Sequence, residues 1–269
     1  MLIGHALIAP ARTSRPGPPP RSPLYEVPPP SPSRPALAQA GPSRDGMMLQ
    51  LVSECLPLRR RLLHMGEVVY RAGEPFTQLF LLNAGYVKIV HNTDDGRCQV
   101  VGLNFRGDWL GFDGIATGRY GSDAVALDVG EVWALRYDAL LLACAGHPPL
   151  LAGLHAEMSR AIGRGRESML SLCTLPVAAR VAEFLSAWAE ALAMPGQHGD
   201  IVTLRMTRAD IGNYLGMTLE SVSRAMSALA REKLIRFTGI GRRAILIPDP
   251  QALSDFIHRD AGCSARPDK

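Results

Sequence analysis

The sequence predicts an α+β fold: a small β-roll, or jelly roll, then one long helix, then a pair of short helices followed by a β-hairpin. Three observations carry that expectation. Between Arg60 and Tyr137, short apolar runs are punctuated by glycines at 66, 73, 85, 96, 107, 111 and 118. From Leu151 to Leu172, apolar residues recur at helical spacing. Between Thr207 and Ala230, two short helical patterns meet at Gly216.

Residues 1–46 precede these elements and hold twelve of the 21 prolines, including Pro18-Pro19-Pro20 and Pro28-Pro29-Pro30. A stretch this rich in proline forms neither a backbone hydrogen-bond ladder nor a core, so it reads as a disordered extension. Met47 and Met48 stand where the ordered chain is expected to begin, which makes a mis-assigned start codon a second explanation. The opening apolar residues lack a basic leader and are broken by His5 and Pro10, so they do not read as a secretory signal. Runs such as Leu79–Leu82 and Leu140–Leu142 are far shorter than the roughly 20 residues a membrane span needs. Cys55, Cys98, Cys144, Cys173 and Cys263 form no C-x-x-C pair, which fits reduced thiols in a cytoplasmic protein rather than a disulfide framework.

Residues 47–143 are expected to form the β-roll. The candidate strands are Glu67–Tyr70, Leu79–Leu82, Tyr86–Val90, Gln99–Leu103, Ala124–Leu127 and Glu131–Leu135. Asp95-Gly96, between two apolar runs, marks a hairpin, because both central turn positions need positive φ.

Residues 144–175 are expected to form a dimerisation helix. After Pro148-Pro149, the apolar positions Leu151, Leu154, Met158, Ile162, Met169 and Leu172 fall close to an a/d seam, flanked by Arg160, Arg164 and Arg166. Such a seam on a single helix argues for pairing with a second copy, with packing on its own β-domain as the alternative. Pro176 then opens a second helix, Val177–Met194, with Val181, Phe184, Leu185 and Trp188 on its apolar face.

Residues 176–250 carry the chemistry, and 251–269 read as a tail. A short strand, Ile201–Met206, precedes Thr207, which can cap a helix whose third residue is Asp210. Gly216 falls where that helix must turn, and Thr218 is the next cap. Ile211, Leu215, Val222, Met226 and Leu229 then face one another across two short helices, which is helix-turn-helix geometry. The second helix would enter a major groove with its first turns toward the bases. Pointing away from Val222 and Met226 are Glu220, Ser221, Ser223 and Arg224. Arg224 can pair with guanine for about 1–3 kcal/mol of discrimination, Glu220 can accept from a cytosine amino group, and Ser223 can donate to a base or phosphate. Thr207, Thr218 and Ser221 suit the DNA backbone. Leu234–Phe237 and Arg243–Ile247 then form a wing with Arg242 and Arg243 at its tip, placed to touch phosphate. The alternative for Glu220 and Arg224 is a solvated i, i+4 ion pair. From Arg205 to Arg243 there are eight cations against three anions, a surplus of five that exceeds the whole chain's +4. Such a local excess attracts a polyanion.

Thr207–Arg224 resembles the helix-turn-helix of the CRP/FNR family of transcription regulators, and Glu-x-x-Ser-Arg at 220–224 resembles its FNR branch. The likeness extends from about Arg60 to Pro248. Gly66–Glu74, Gly85-Tyr-Val-Lys88 and Gly107–Asp113 resemble the family's cyclic-nucleotide-binding-like double-stranded β-helix, and the seam helix resembles its dimerisation helix. The resemblance implies a homodimer on an inverted repeat like the FNR box, TTGAT and its complement, read by Glu220, Ser223 and Arg224. It also implies that the loop Gly111–Gly118, with Phe112, Asp113, Gly114, Ile115 and Thr117, faces RNA polymerase.

No cofactor is expected. An FNR-type iron–sulfur cluster needs four thiolates, but only Cys55 lies in the N-terminal region, and Trp133 stands at the place of the family's sensor-domain cysteine. Members that bind cyclic AMP carry an Arg-Ser pair where this chain has Gly121-Ser122, with Arg119 two residues early. A regulator responsive to a cyclic nucleotide, or to haem held by His64, His91, His147 or His155, stays open as an alternative, as does a redox role for Cys98, Cys144 or Cys173. Gly165 stands where cluster-bearing FNR places an acidic residue on its seam, so the dimer is expected to form without an effector. A cupin-type metalloenzyme would need His-x-His, and the chain has none, so no enzyme activity is expected.

Overall fold

A computed structural model describes residues 44–93, 96–192, 201–239 and 241–263 of this chain. The Pro-rich stretch up to residue 43 and Asp95 of the expected hairpin turn lie outside the described residues. All described elements belong to one unit, Ala40–Lys269.

The described residues open with a helix, α1 (Arg44–Cys55), which runs through Met47 and Met48. Eight strands follow: β1 (Arg59–Leu63), β2 (Val68–Tyr70), β3 (Gln78–Ala84), β4 (Val87–Asn92), β5 (Cys98–Asn104), β6 (Trp109–Leu110), β7 (Asp123–Ala126) and β8 (Gly130–Arg136). They form two antiparallel four-stranded sheets, ordered β1-β8-β3-β6 and β2-β7-β4-β5. All six expected strands are present. The short β1 and β6 were not anticipated: β1 is the arginine-rich Arg59–Leu63, and β6 has only two residues, too few to show an alternating pattern.

Alternation along the strands sends side chains to two cores. Phe80, Leu82, Val132 and Ala134 point between the sheets, where Tyr70 and Tyr120 stack with ring centroids 4.1 Å apart. Leu79, Leu81, Trp133 and Leu135 point outward and are covered by helices. One cover is α2 (Tyr137–Gly146), through Leu140 and Cys144. Another is α3 (Pro148–Thr174), through Leu150 and Leu154, and the last is α1, through Met48, Leu49 and Val52. The α1 helix crosses α3 at Gly153, where an added Cβ would lie 2.9 Å from the Met48 sulfur.

The C-terminal part consists of α4 (Val177–Leu192), β9 (Ile201–Thr203), α5 (Arg208–Tyr214), α6 (Leu219–Arg231), β10 (Arg236–Thr238), β11 (Ala244–Leu246) and α7 (Pro250–Cys263). The strands form a sheet ordered β10-β11-β9. Two sequence expectations need correction. The stretch read as a tail, 251–269, supplies α7, whose Leu253 and Phe256 are buried in the same core as α4. Leu154, placed on the seam, is buried at 4% exposure beneath α1, because α3 carries two apolar stripes and only one faces outward. The second sheet of the roll joins the C-terminal core through Val90, Val100 and Leu127, and Trp188 of α4 lies 5.7 Å from the Tyr86 ring and 5.3 Å from that of Phe105.

Candidate nucleic-acid interface

Thr207 and Asp210 build the entry to α5. The Thr207 hydroxyl accepts from the Asp210 amide at 3.0 Å, and the Asp210 carboxylate accepts from the Thr207 amide at 3.3 Å, which makes a full capping box. The same hydroxyl donates to Asp210 Oδ2 at 2.7 Å, so it is committed to the cap. Burial would raise the Asp210 carboxyl, but the Lys88 ammonium and the Thr207 donors outweigh it and hold the group below its usual value. Gly212 lets the turn close over α5: an added Cβ there would meet the Met217 carbonyl oxygen at 2.6 Å. Gly216 then adopts φ +61°, the left-handed turn that ends the helix.

Thr218 caps α6 by accepting from the Ser221 amide at 3.2 Å, and the Ser221 hydroxyl lies 3.2 Å from the Thr218 hydroxyl. Val222, Ala225, Met226 and Leu229 are buried against the rest of the domain. Glu220, Ser223 and Arg224 are all exposed on the opposite face. The Glu220 carboxyl is held low by its own backbone N–H, then by the Thr218 hydroxyl and the Arg224 charge, so it is an acceptor at neutral pH. An acid, a hydroxyl and a guanidinium thus sit within one turn and a half of solvent-facing helix.

Leu219 is a residue that the sequence pattern concealed. It lies three residues before Val222 and seven before Met226, which puts it on the inward stripe, yet the first turn overhangs the domain and leaves it 45% exposed. An apolar group there suits a thymine methyl.

In the wing, Arg242 (φ 54°) and Arg243 are exposed at the tip. The Arg242 guanidinium lies 5.2 Å from the Phe237 ring centroid, with Arg208 at 5.9 Å on the same ring. Arg208 donates to the Arg242 carbonyl at 2.8 Å, and its side chain contacts the Met226 sulfur. Burial, then the Arg242 charge, lowers the Arg208 pKa. The tip is therefore braced against the recognition helix.

On α3, Ile162, Met169 and Leu172 are 55%, 68% and 39% exposed and Leu151 is 37%, with Leu170 beside them, while Met158 is half-buried. Glu157 is buried and paired with Arg160, and Arg164 reaches Asp108 at 3.2 Å. In the loop after β6, a 3-10 turn spans Phe112–Gly114. Phe112 and Ile115 pack on the outer core and Gly114 is buried beside Phe76, whereas Asp113 and Thr117 are exposed. Cys98 and Cys173 are exposed and Cys55 is half-buried. Cys144 is buried, and that burial pushes its thiol pKa up. Among the described residues, no three His, Cys, Asp or Glu side chains come together as metal ligands.

Two capped helices across a tight turn, a basic-tipped wing and a β-roll joined to them by a long helix define a winged helix-turn-helix regulator. Residues 60–147 match the cyclic nucleotide-binding domain, and residues 179–256 match the Crp-like helix-turn-helix domain. The chain is 32% identical over 196 residues to Electron transport regulator A of Shewanella oneidensis, covering 73% of this chain and 77% of that protein. It is 30% identical over 212 residues to the transcriptional regulatory protein btr of Bordetella pertussis, covering 79% and 84%. Among solved structures, FixK2 from Bradyrhizobium japonicum matches with a TM-score of 0.66 and 28% identity, over 74% of this chain and 97% of that one. The chain belongs to the CRP/FNR family of DNA-binding transcription regulators, which are not enzymes. No helix among the described residues is long and apolar enough to cross a membrane.

The first matched domain is named for cyclic nucleotides, and the residues here do not fit one. Asp113 Oδ2 accepts from the Gly121 amide at 3.1 Å and from the Ser122 hydroxyl at 2.7 Å, so a carboxylate sits on the donors a phosphate would need. Arg119, the nearby cation, donates to the Gly73 carbonyl at 2.6 Å instead. A cyclic phosphate entering here would meet the Asp113 carboxylate on those donors.

Proposed function

We propose that two copies of this regulator pair through the outward stripe of α3 and bind an inverted repeat resembling the FNR box, TTGAT and its complement, in the cytoplasm. The observation that carries the reading is the single solvent-facing surface of α6 on which Glu220, Ser223 and Arg224 stand together, with every large apolar residue of the helix except Leu219 turned away. Arg224 reads guanine, Glu220 orients it and accepts from cytosine, Ser223 completes the inner position, and Leu219 meets a thymine methyl. Arg242, Arg243, Thr218, Ser221 and the region of Thr207 lie along the backbone. The exposed Asp113 and Thr117 are the part of the 111–118 loop available to RNA polymerase, which makes the output activation. The dimer forms without an effector, and no cluster, haem or cyclic nucleotide takes part. The carboxylate of Asp113 on the Ser122 hydroxyl and the absence of a charge at the exposed Gly165 support that view.

Fluorescence anisotropy with an FNR-box duplex against a scrambled one, at fixed salt, tests the reading. Arg224→Ala is expected to lose about 1–3 kcal/mol of preference while the melting temperature stays put, because the side chain is exposed. An unchanged preference in the variant means that α6 does not read the bases.

A further inference from the structure

The face of α5 opposite α6 has a task the function above leaves unassigned. β5 is the outer strand of its sheet, so the Cys98 carbonyl and the Val100 amide point away from β4 toward an open edge. Asn213, on α5, closes it. Its Nδ2 donates to the Cys98 carbonyl at 2.6 Å and its Oδ1 accepts from the Val100 amide, so one carboxamide takes the place of a neighbouring strand. Gln99 donates in return to the Asn213 carbonyl. One turn earlier on the same helix, Asp210 holds Lys88 of β4 at 2.7 Å. The next residue, Tyr214, places its hydroxyl 3.4 Å from that of Ser168 on α3. Within the seven residues of α5, Asp210 and Asn213 therefore touch the roll and Tyr214 the pairing helix, and the turn packed on Gly212 passes any tilt of α5 directly to α6.

We propose that Asn213 is a positioning residue for DNA recognition: by docking α5 on the β5 edge, it sets the separation and rotation of the two recognition helices in the pair, and so the spacer length the regulator accepts. The proposal rests on the paired, inverted-repeat reading above. Each base pair added between half-sites moves one of them by about 3.4 Å and turns it by about 35°. A rigid dock accepts one spacer; a released one tolerates several. The contact to Cys98 is exposed and that to Val100 part-buried, so the dock is an orientation held by a few polar contacts at the edge of the C-terminal core.

The test uses the full chain and a set of inverted TTGAT repeats whose spacer grows by single base pairs, with anisotropy as the readout. The native protein is expected to show one preferred spacer, with affinity falling about tenfold for one base pair either way, equivalent to ~1.4 kcal/mol. Asn213→Ala should flatten that curve to less than about threefold while keeping its TTGAT-over-scrambled ratio, a combination that loss of fold does not produce. Asn213→Asp keeps the acceptor for Val100 but turns an oxygen toward the Cys98 carbonyl, and should flatten the curve too. Hydrogen exchange at the Val100 amide reports undocking directly. A spacer curve as sharp in both variants as in the native chain, with Val100 exchange accelerated, overturns the proposal. A native chain with no spacer preference sinks the paired-site reading itself, a result distinguishable because it needs no variant.

Discussion

Lys88 of the β-roll places its Nζ 2.7 Å from Oδ1 of Asp210, the residue that also closes the capping box at the entry to the helix-turn-helix. The two side chains are 20% and 25% exposed, so this pair between the two parts of the chain is shielded from water more than an ordinary surface bridge. A double-mutant cycle with Lys88→Met and Asp210→Asn, measured by chemical denaturation, is expected to return a coupling of about 1–2 kcal/mol.

Acid should weaken the same contact. Asp210 titrates below its usual value: burial opposes ionisation, and Lys88 and Thr207 more than offset it. A carboxyl lowered in the folded state adds stability above its unfolded value of about 3.9, and that contribution disappears as pH falls through the folded value. Glu67, held down to about 2 first by the Arg61 guanidinium and then by the His64 amide, has the same sign. Thermal melts between roughly pH 5 and pH 3 should show the native chain losing stability faster than Asp210→Asn.

The capping hydroxyl of Thr207 accepts from the Asp210 amide, and Thr207→Ala removes it. The variant is expected to lose about 0.5–2 kcal/mol in urea denaturation, and Thr207→Ser almost none. An equal loss in both would show that the methyl group, not the hydroxyl, matters.

Ile162 and Met169 are 55% and 68% exposed on one stripe of α3. Placing Glu at both positions puts charge on a surface that is exposed in the single chain, so that chain's own stability should change by no more than about 0.5 kcal/mol. Sedimentation should nevertheless show a monomer where the native chain is a dimer without added ligand. A native monomer at micromolar concentration would contradict the effector-free pairing.

Gly212 and Gly216 fail for different reasons. Gly212→Ala drives a Cβ to 2.6 Å from the Met217 carbonyl and is expected to cost about 1–3 kcal/mol. Gly216→Ala meets nothing nearer than 3.7 Å, and only the φ of +61° opposes it, for about 1 kcal/mol. Denaturation of the two variants separates the effects.

The reading face of α6 was legible in advance because a recognition helix is a local object. Two N-caps, a glycine turn and a 3.6-residue apolar stripe specify which way Glu220, Ser223 and Arg224 point without reference to distant residues. The strands of the roll were legible for the same reason, through period-two alternation and glycine turns. Leu154 misled the pattern and Leu219 was passed over by it, since each is an apolar residue at helical spacing whose surroundings come from elsewhere in the chain. α1 covers the first, and the second is left 45% exposed.

By itself, the amino-acid order determined the kind of elements, their sequence and the chemistry of the face offered to DNA. Only the folded chain decided what each outer surface rests on: α1 over α3 near Gly153 and Leu154, α7 in the C-terminal core, a carboxylate at Ser122, and the Asn213 amide on the edge of β5. Backbone propensity acts between near neighbours, whereas these contacts join residues as far apart as Cys98 and Asn213, and they exist only once packing has brought the two together.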